Sequence, residues 1–419
     1  MKRRPDKTEA LISKGVVIPS PDSIEIGEDV DIENISGKQV EIHAGSRIHG
    51  RSTLICSGAV IGSEGPATVN SCQVGNSVRL GGGFFEKAVF LNGARAGANT
   101  HARQGSILEE EASLAHTVGI KQTILFPFVT LGSLINFCDC LMSGGTGPKN
   151  HSEVGSSYVH FNFSVNQDKA TPSLFGDVAR GVMLRENPIF LGGQGGAVGP
   201  LRLAFGTVTA AGTICRKDEL IGGKLVVGKT IKGGSIPYPA GRYDNINRIV
   251  ASNINYVANL VALSRWYEQV RGLFVNEKNF PEALLTGLKN NLNRCIEERL
   301  IRLEELADKM PEEAGPTPSG QNDLPPLIHQ KNELYDKKEV VVELLRLRSK
   351  TESGDSRVKD DFLEIMSEKI NSAGRDYLTA IRSLDETEAK TGTVWLRSII
   401  DNLIDQINDL LPSFYLMSG

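Results

Sequence analysis

The sequence predicts a parallel β-helix of hexapeptide repeats followed by an all-α helical domain. Three observations carry this prediction. Six consecutive hexads run from Phe90 to Leu125: FLNGAR, AGANTH, ARQGSI, LEEEAS, LAHTVG and IKQTIL. The pattern recurs in blocks before and after that run. After Asp244 the apolar spacing changes from six to steps of three and four.

Each hexad opens on an apolar or small residue (Phe90, Ala96, Ala102, Leu108, Leu114, Ile120) and has a small or β-branched residue at its fifth position. A helix repeats near 3.6 residues and an ordinary strand every 2. A period of six fits a three-sided coil, with one hexad per side and the first position pointing inward. One coil cannot bury its own apolar positions, whereas a stack buries a continuous narrow core. Upstream, Ile42, Ile48, Leu54 and Val60 follow the same spacing, then Val74 and Leu80. Downstream come Leu131, Phe137 and Val154, then Leu191, Ala197, Leu203 and Thr209. Register slips between blocks predict loops near 34–41, 63–73, 143–153 and 166–174. The 44 glycines suit the corners of such coils.

These patterns divide the chain into an N-terminal tail (1–17), the β-helix (18–230), a linker (231–243) rich in Gly and Pro, and the helical domain (244–419). Asp244 is the expected N-cap of a first helix whose apolar face includes Ile246, Val250, Val257 and Leu260. A second helix fits Pro281 to Met310, with Pro in its first turn. Residues 311–327, rich in Pro, Gly and acidic side chains, read as a mobile linker. Further helices are expected at Ile328–Ser349, Arg357–Leu384 and Thr393–Leu411. Asn253, Asn255 and Asn259 could fix the register of the first helix against another chain, and Trp266 and Tyr267 could anchor such a contact.

Net charge −4 argues against general nucleic-acid binding. No segment approaches the roughly 18–20 apolar residues of a membrane span. The basic start, MKRRP, lacks the apolar core of a signal peptide. A cytoplasmic protein is expected, with its six cysteines reduced and packed and no metal site. A zinc enzyme on this fold would need converging histidines. His43 and His49, six apart, lie on different sides of the coil.

Three segments resemble the acetyltransferase half of the bifunctional bacterial enzyme that makes UDP-N-acetylglucosamine. Arg103-Gln104-Gly105, with Lys121 in VGIKQTI eighteen residues after Arg103, is similar to that family's Arg-Pro-Gly and Val-Glu-Ile/Met-Lys. Asn166-Gln167-Asp168-Lys169 followed by LFGD resembles its Asn-Tyr-Asp-Gly loop. Ala210-Ala211-Gly212-Thr213 resembles its Ala-Ala-Gly-Thr coil. The resemblance covers about residues 90–220. It implies left-handed coils, a homotrimer, and acetyl-CoA or another acyl-CoA as cosubstrate between neighbouring subunits. Arg103 and Lys121 would hold the phosphate of a sugar phosphate or nucleotide sugar, Arg through bidentate bonds, with Asn166 and Lys169 beside them. Ala210, Ala211 and Gly212 would lie along the CoA arm.

Two departures stand out. Where the family places a Gly-His that supplies the general base, this sequence reads Asn136-Phe137. His151, His116 and His160 are the candidate replacements, and Asp168 could assist. The family's nucleotidyltransferase signature is absent, so pyrophosphorylase activity is not supported. Two functions follow: an acyl-CoA-dependent transferase acting on a sugar phosphate or nucleotide sugar, or a non-catalytic trimeric scaffold or sugar-nucleotide-binding protein whose helical domain mediates assembly.

Overall fold

A computed structural model describes residues 7–228, 234–235, 243–310, 326–351 and 354–417. Short strands wind into a three-sided parallel solenoid. The first face is a 10-stranded ladder from Glu41–Ile42 to Leu225–Val226. The second runs from Glu25–Ile26 through Arg47–His49, Ala67–Asn70, Gly83–Glu86 and Thr100–Ala102, and on through Val159–Phe161 to Ile214–Cys215. The third climbs through Leu54–Ile55, Gln73–Val74, Val89–Phe90 and Ile107–Leu108 to Ser173–Phe175 and Leu201–Leu203. Two long strands, Val118–Leu125 and Ile135–Met142, belong to both the second and third faces, bending at Gln122 (φ 52°) and Asp139 (φ 59°).

The hexads predict which side chains point inward. Phe90 pairs with Leu108, Ala96 with Leu114 and Ala102 with Ile120, and all six are buried. The upstream register differs by one residue. Ile55 and Ile61, rather than Leu54 and Val60, enter the core, because the coil after Ile48 takes seven residues before its next inward position. All six cysteines are buried and unpaired.

Helix α1 (Lys7–Lys14) covers the start of the stack. Leu11 is buried, and the Lys7 ammonium donates to the carbonyls of Gly27, Glu28 and Val30 at 3.0, 2.7 and 2.7 Å. A short α2 (Val178–Gly181) sits in a loop after the third face. The helical region comprises α3 (Ile246–Arg265), α4 (Glu282–Asp308), α5 (Pro326–Lys350), α6 (Ser356–Ala373), α7 (Tyr377–Arg382) and α8 (Glu386–Leu410). The linker expected at 231–243 lies almost wholly outside the described residues. Of the one at 311–327, only Pro326 and Leu327 fall inside them, and they open α5. The single helix expected at Arg357–Leu384 is two, because Gly374 (φ 73°) and Arg375 (φ 62°) adopt the left-handed conformation that ends a helix. The last helix starts before Thr393, at an Asp385/Glu388 capping box. The first starts after Asn245, not Asp244.

The helices do not stand apart from the solenoid. On the third face the outward residues Val89, Ile107, Ile124 and Leu141 are apolar and buried beneath them. Helix α4 runs along the edge between the second and third faces. Gly287 lies against Gln73, Asn291 and Cys295 lie on Gly105, and Arg299 lies on Asp139. At the opposite edge Tyr267 donates to Glu109 at 2.5 Å and Arg271 pairs with Glu110 at 2.5 Å. The asparagines of α3 act within the chain rather than between chains. Asn253 donates to the Ala170 carbonyl (2.9 Å), and Asn259 accepts the Val178 amide (2.9 Å). Trp266 is likewise internal, tilted against Phe362 and donating to Tyr377 at 3.1 Å.

Candidate functional site on the second face

The second face keeps an uncovered stretch around Arg103. Ala102 points inward and pairs with Ile120, and the Arg103 amide donates to the Ile120 carbonyl at 3.0 Å. Arg103 and Lys121 therefore project outward as neighbours one coil apart. Lys121 in turn pairs with Cys138 on the next coil. The Arg103 guanidinium reaches the Cys138 sulfur at 3.9 Å. Burial and the Asp139 carboxylate push that thiol up despite Arg103, so it stays protonated. Opposite Lys121 stands Glu298 of α4. Burial raises its carboxyl, but Arg302, Arg299 and Lys121 outweigh burial and hold it below its ordinary value.

The loop carrying Asn166 and Lys169 is tied to the same edge. Asn162 donates to Asp139 at 2.5 Å, Arg299 pairs with Asp139 at 2.6 Å, and Arg299 also donates to the Lys169 carbonyl at 3.1 Å. Lys309 donates to the Asn166 carbonyl at 2.6 Å. Asp168 is not an exposed loop carboxylate. It is buried, accepting from Ser164 and, at 2.9 Å, from Tyr243. The structure thus brings Arg103, Lys121 and the 162–169 loop to one edge.

Ala210, Ala211 and Gly212 lie elsewhere. They form the corner between the first and second faces, following Val208–Thr209 and preceding Ile214–Cys215. Four ladder steps, from Lys121's strand through Ile135–Met142, Val159–Phe161 and Gly196–Val198, separate that coil from Lys121. At a strand spacing of about 4.8 Å this is roughly 19 Å along the axis, before the width of the face is added. Within one chain the basic pair and this coil do not meet. The corner is low: Gly192 lies against Ala210, and a Cβ at Gly212 would meet nothing.

The three candidate histidines are placed differently. His160 fills an inward position, paired with Ala197 and only 1% exposed. Its Nδ1 lies 2.6 Å from the Cys138 carbonyl and its Nε2 lies 2.7 Å from the Ser173 hydroxyl. A carbonyl only accepts, so Nδ1 carries the proton and Nε2 accepts from Ser173. Both nitrogens are occupied, and burial pushes the ring down to about 4. His151 lies on a small hairpin (Gly145–Gly147 with Asn150–His151), with Nδ1 2.9 Å from the Pro148 carbonyl and Nε2 3.9 Å from Glu153. His116 is exposed, 3.4 Å from the Thr117 hydroxyl, at the corner between the first and second faces. None of the three stands on the outer surface of the second face beside Arg103 and Lys121. Phe137, where the resemblance places a base, carries no basic group and points into the core, stacking on Phe175 at 5.4 Å.

One residue that sequence reasoning missed does stand there. His101 is exposed on Thr100–Ala102, two residues before Arg103. Its signal was present in the hexads, since the position before an inward residue points outward. Among the described residues no group of three His, Cys, Asp or Glu side chains could hold a metal ion, and no helix is long and apolar enough to cross a membrane.

The solenoid and its hexads define a hexapeptide-repeat β-helix. The chain is similar to several bacterial proteins named bifunctional protein GlmU, and the similarity fits the acetyltransferase β-helix domain of that family. The Thermotoga petrophila protein is 26% identical over 213 residues, 51% of this chain and 42% of that protein. The Burkholderia thailandensis protein is 27% identical over 228 residues, 53% of this chain and 44% of that protein. The Kineococcus radiotolerans protein is 27% identical over 205 residues, 49% of this chain and 36% of that protein. The chain therefore spans about two-fifths of the length of these relatives. No protein-family model matches it.

Proposed function

We propose that the protein is an acyl-CoA-dependent transferase acting on a sugar phosphate or nucleotide sugar. The observation that carries this reading is the Arg103–Lys121 pair, adjacent in the ladder on the uncovered second face, with the Asn166–Lys169 loop pinned beside it. Two neighbouring cations suit a phosphate, Arg by a planar fork and Lys as a point charge. The low corner at Ala210–Gly212 leaves room for a thin pantetheine arm. Because that corner and the basic pair are far apart in one chain, a site using both draws the corner from a neighbouring copy. This favours a homotrimer, with the acyl donor between subunits.

A second reading is a sugar-nucleotide-binding scaffold derived from such an enzyme. It is favoured by Phe137 in the core and by the occupied nitrogens of His160.

Isothermal titration with acetyl-CoA, glucosamine 1-phosphate and UDP-N-acetylglucosamine, on the wild type and on Lys121→Ala, separates the two readings. Acetyl-CoA binding, with acceptor binding lost in Lys121→Ala, supports the transferase. Sugar-nucleotide binding without acetyl-CoA binding supports the scaffold. No binding of any ligand removes both.

A further inference from the structure

We propose that His101 is the general base of this site, an inference that rests on the acyl-transfer reading. Its side chain belongs to the same outer surface as the basic pair. Ala102 points inward, so its neighbours His101 and Arg103 both project outward, about 7 Å apart along the strand. Lys121 stands beside Arg103 on the next coil, which places it diagonally from His101 at roughly 7–8 Å. Three groups at these spacings can address one sugar ring, with its phosphate on the two cations and its attacking atom at the imidazole.

The ring is supported and open. Phe84, its neighbour on the preceding coil, meets it edge-on with centroids 5.1 Å apart and planes at 90°. On the following coil its neighbour is Gly119, where an added Cβ would find only the Ile135 carbonyl, at 3.9 Å. The missing side chain leaves space over the ring on the side facing Lys121. Beyond Gly119 the column continues with the exposed, neutral Asn136. By ladder position the charged residues flanking it on this face include Arg103 and Lys121, with Glu86 at the end of Phe84's strand, and Glu298 of α4 interacts with Lys121. Neither ring nitrogen of His101 has a hydrogen-bond partner among the described residues, in contrast to His116, His151 and His160.

The step balances with the acyl-CoA already named. The acceptor's amine nitrogen attacks the thioester carbonyl carbon, a C–N bond forms and the C–S bond breaks. His101 takes the proton from the attacking nitrogen and returns it to the departing thiolate, giving the amide and free CoA thiol.

The test uses the full chain with acetyl-CoA and glucosamine 1-phosphate. In His101→Gln, both dissociation constants stay within about threefold of wild type. Turnover falls by about 100-fold or more, the usual worth of a general base, and the acid limb of the pH–rate profile is lost. Added imidazole restores turnover in His101→Gly, which a merely structural role would not allow. Wild-type-like turnover in His101→Gln overturns the assignment while leaving the transferase standing. A wild type that binds neither ligand, or transfers nothing, removes the assignment and the acyl-transfer reading together.

Discussion

Arg299 and Asp139 form a buried ion pair at 2.6 Å that joins helix α4 to the edge of the solenoid. Asp139 sits at a left-handed corner (φ 59°), so its carboxylate turns outward from the strand to meet the helix. The guanidinium also donates to the Lys169 carbonyl, and Asn162 donates to the same carboxylate. Removing one partner leaves a buried charge uncompensated, which costs about 3–5 kcal/mol, whereas removing both costs less. In urea unfolding, Arg299→Ala is expected to lose stability in that range. Arg299→Met with Asp139→Asn should recover at least half of the loss. Additive losses in the double variant would show that the pair does not couple the helix to the solenoid.

His160 makes stability fall in acid. Its folded value of about 4 lies below the ordinary value of 6.5, so between these pH values the unfolded chain binds the extra proton. The contribution of neutral His160 is complete above pH ~6.5 and is lost as pH falls toward ~4, on the order of 3 kcal/mol in total. The geometry agrees, since a proton on Nε2 would end its acceptance from Ser173. His160→Gln is expected to be less stable at pH 7. Relative to that variant, the wild type's advantage should shrink between pH 6.5 and 4. A difference that stays constant over this window would contradict a buried, neutral imidazole.

Much of this was legible in the hexads, and the same arithmetic reached further than the motifs did. Six residues after the inward Val154 comes His160, so its burial follows from spacing alone. His101 precedes the inward Ala102, so its outward direction follows too. The covered third face was also written in the sequence. Val89-Phe90, Ile107-Leu108, Ile124-Leu125 and Leu141-Met142 are apolar at both the outward and the inward position. On the first face the outward residues Arg79 and Arg95 are charged instead, although Phe190 and Val208 further along it are exposed and apolar. What spacing could not give is which helix covers that face, because α4 meets its corner residues from almost 200 positions away in the chain, as Cys295 meets Gly105. The break at Gly374 was missed for a different reason, since apolar residues continue on both sides of it with helical spacing.

Gly287 is a point of close approach between α4 and the solenoid. A Cβ there would lie 2.5 Å from Gln73 Oε1 and 2.8 Å from its Cγ. Gln73 cannot swing aside freely, because its amide donates to the Ser52 carbonyl at 2.7 Å. Gly287→Val is expected to destabilise by about 1–3 kcal/mol through overpacking and to speed proteolysis between the two regions. Gln73→Ala should suppress much of the defect. A Gly287→Val protein as stable as the wild type would mean that the helix is not seated here.

Glu109 gives a pH dependence of opposite sign. Burial and the neighbouring Glu110 raise its carboxyl to about 7, against the opposing pull of Arg271 and the Tyr267 hydroxyl. Arg271 already pairs with Glu110 and lies over the Tyr377 ring at 3.7 Å, so it cannot fully compensate a second carboxylate. The folded chain therefore holds a proton that the unfolded chain releases above its ordinary value of 4.5. The stability this adds is present below pH ~4.5 and is lost as pH rises through ~7. Glu109→Gln keeps an acceptor for Tyr267 and cannot ionise. It is expected to match the wild type near pH 5 and to exceed it at pH 8 by roughly 1–3 kcal/mol. Thermal unfolding of both proteins across pH 5–8 checks this. A variant that is less stable than the wild type at pH 8 would show instead that ionised Glu109 strengthens the contact between the helices and the solenoid.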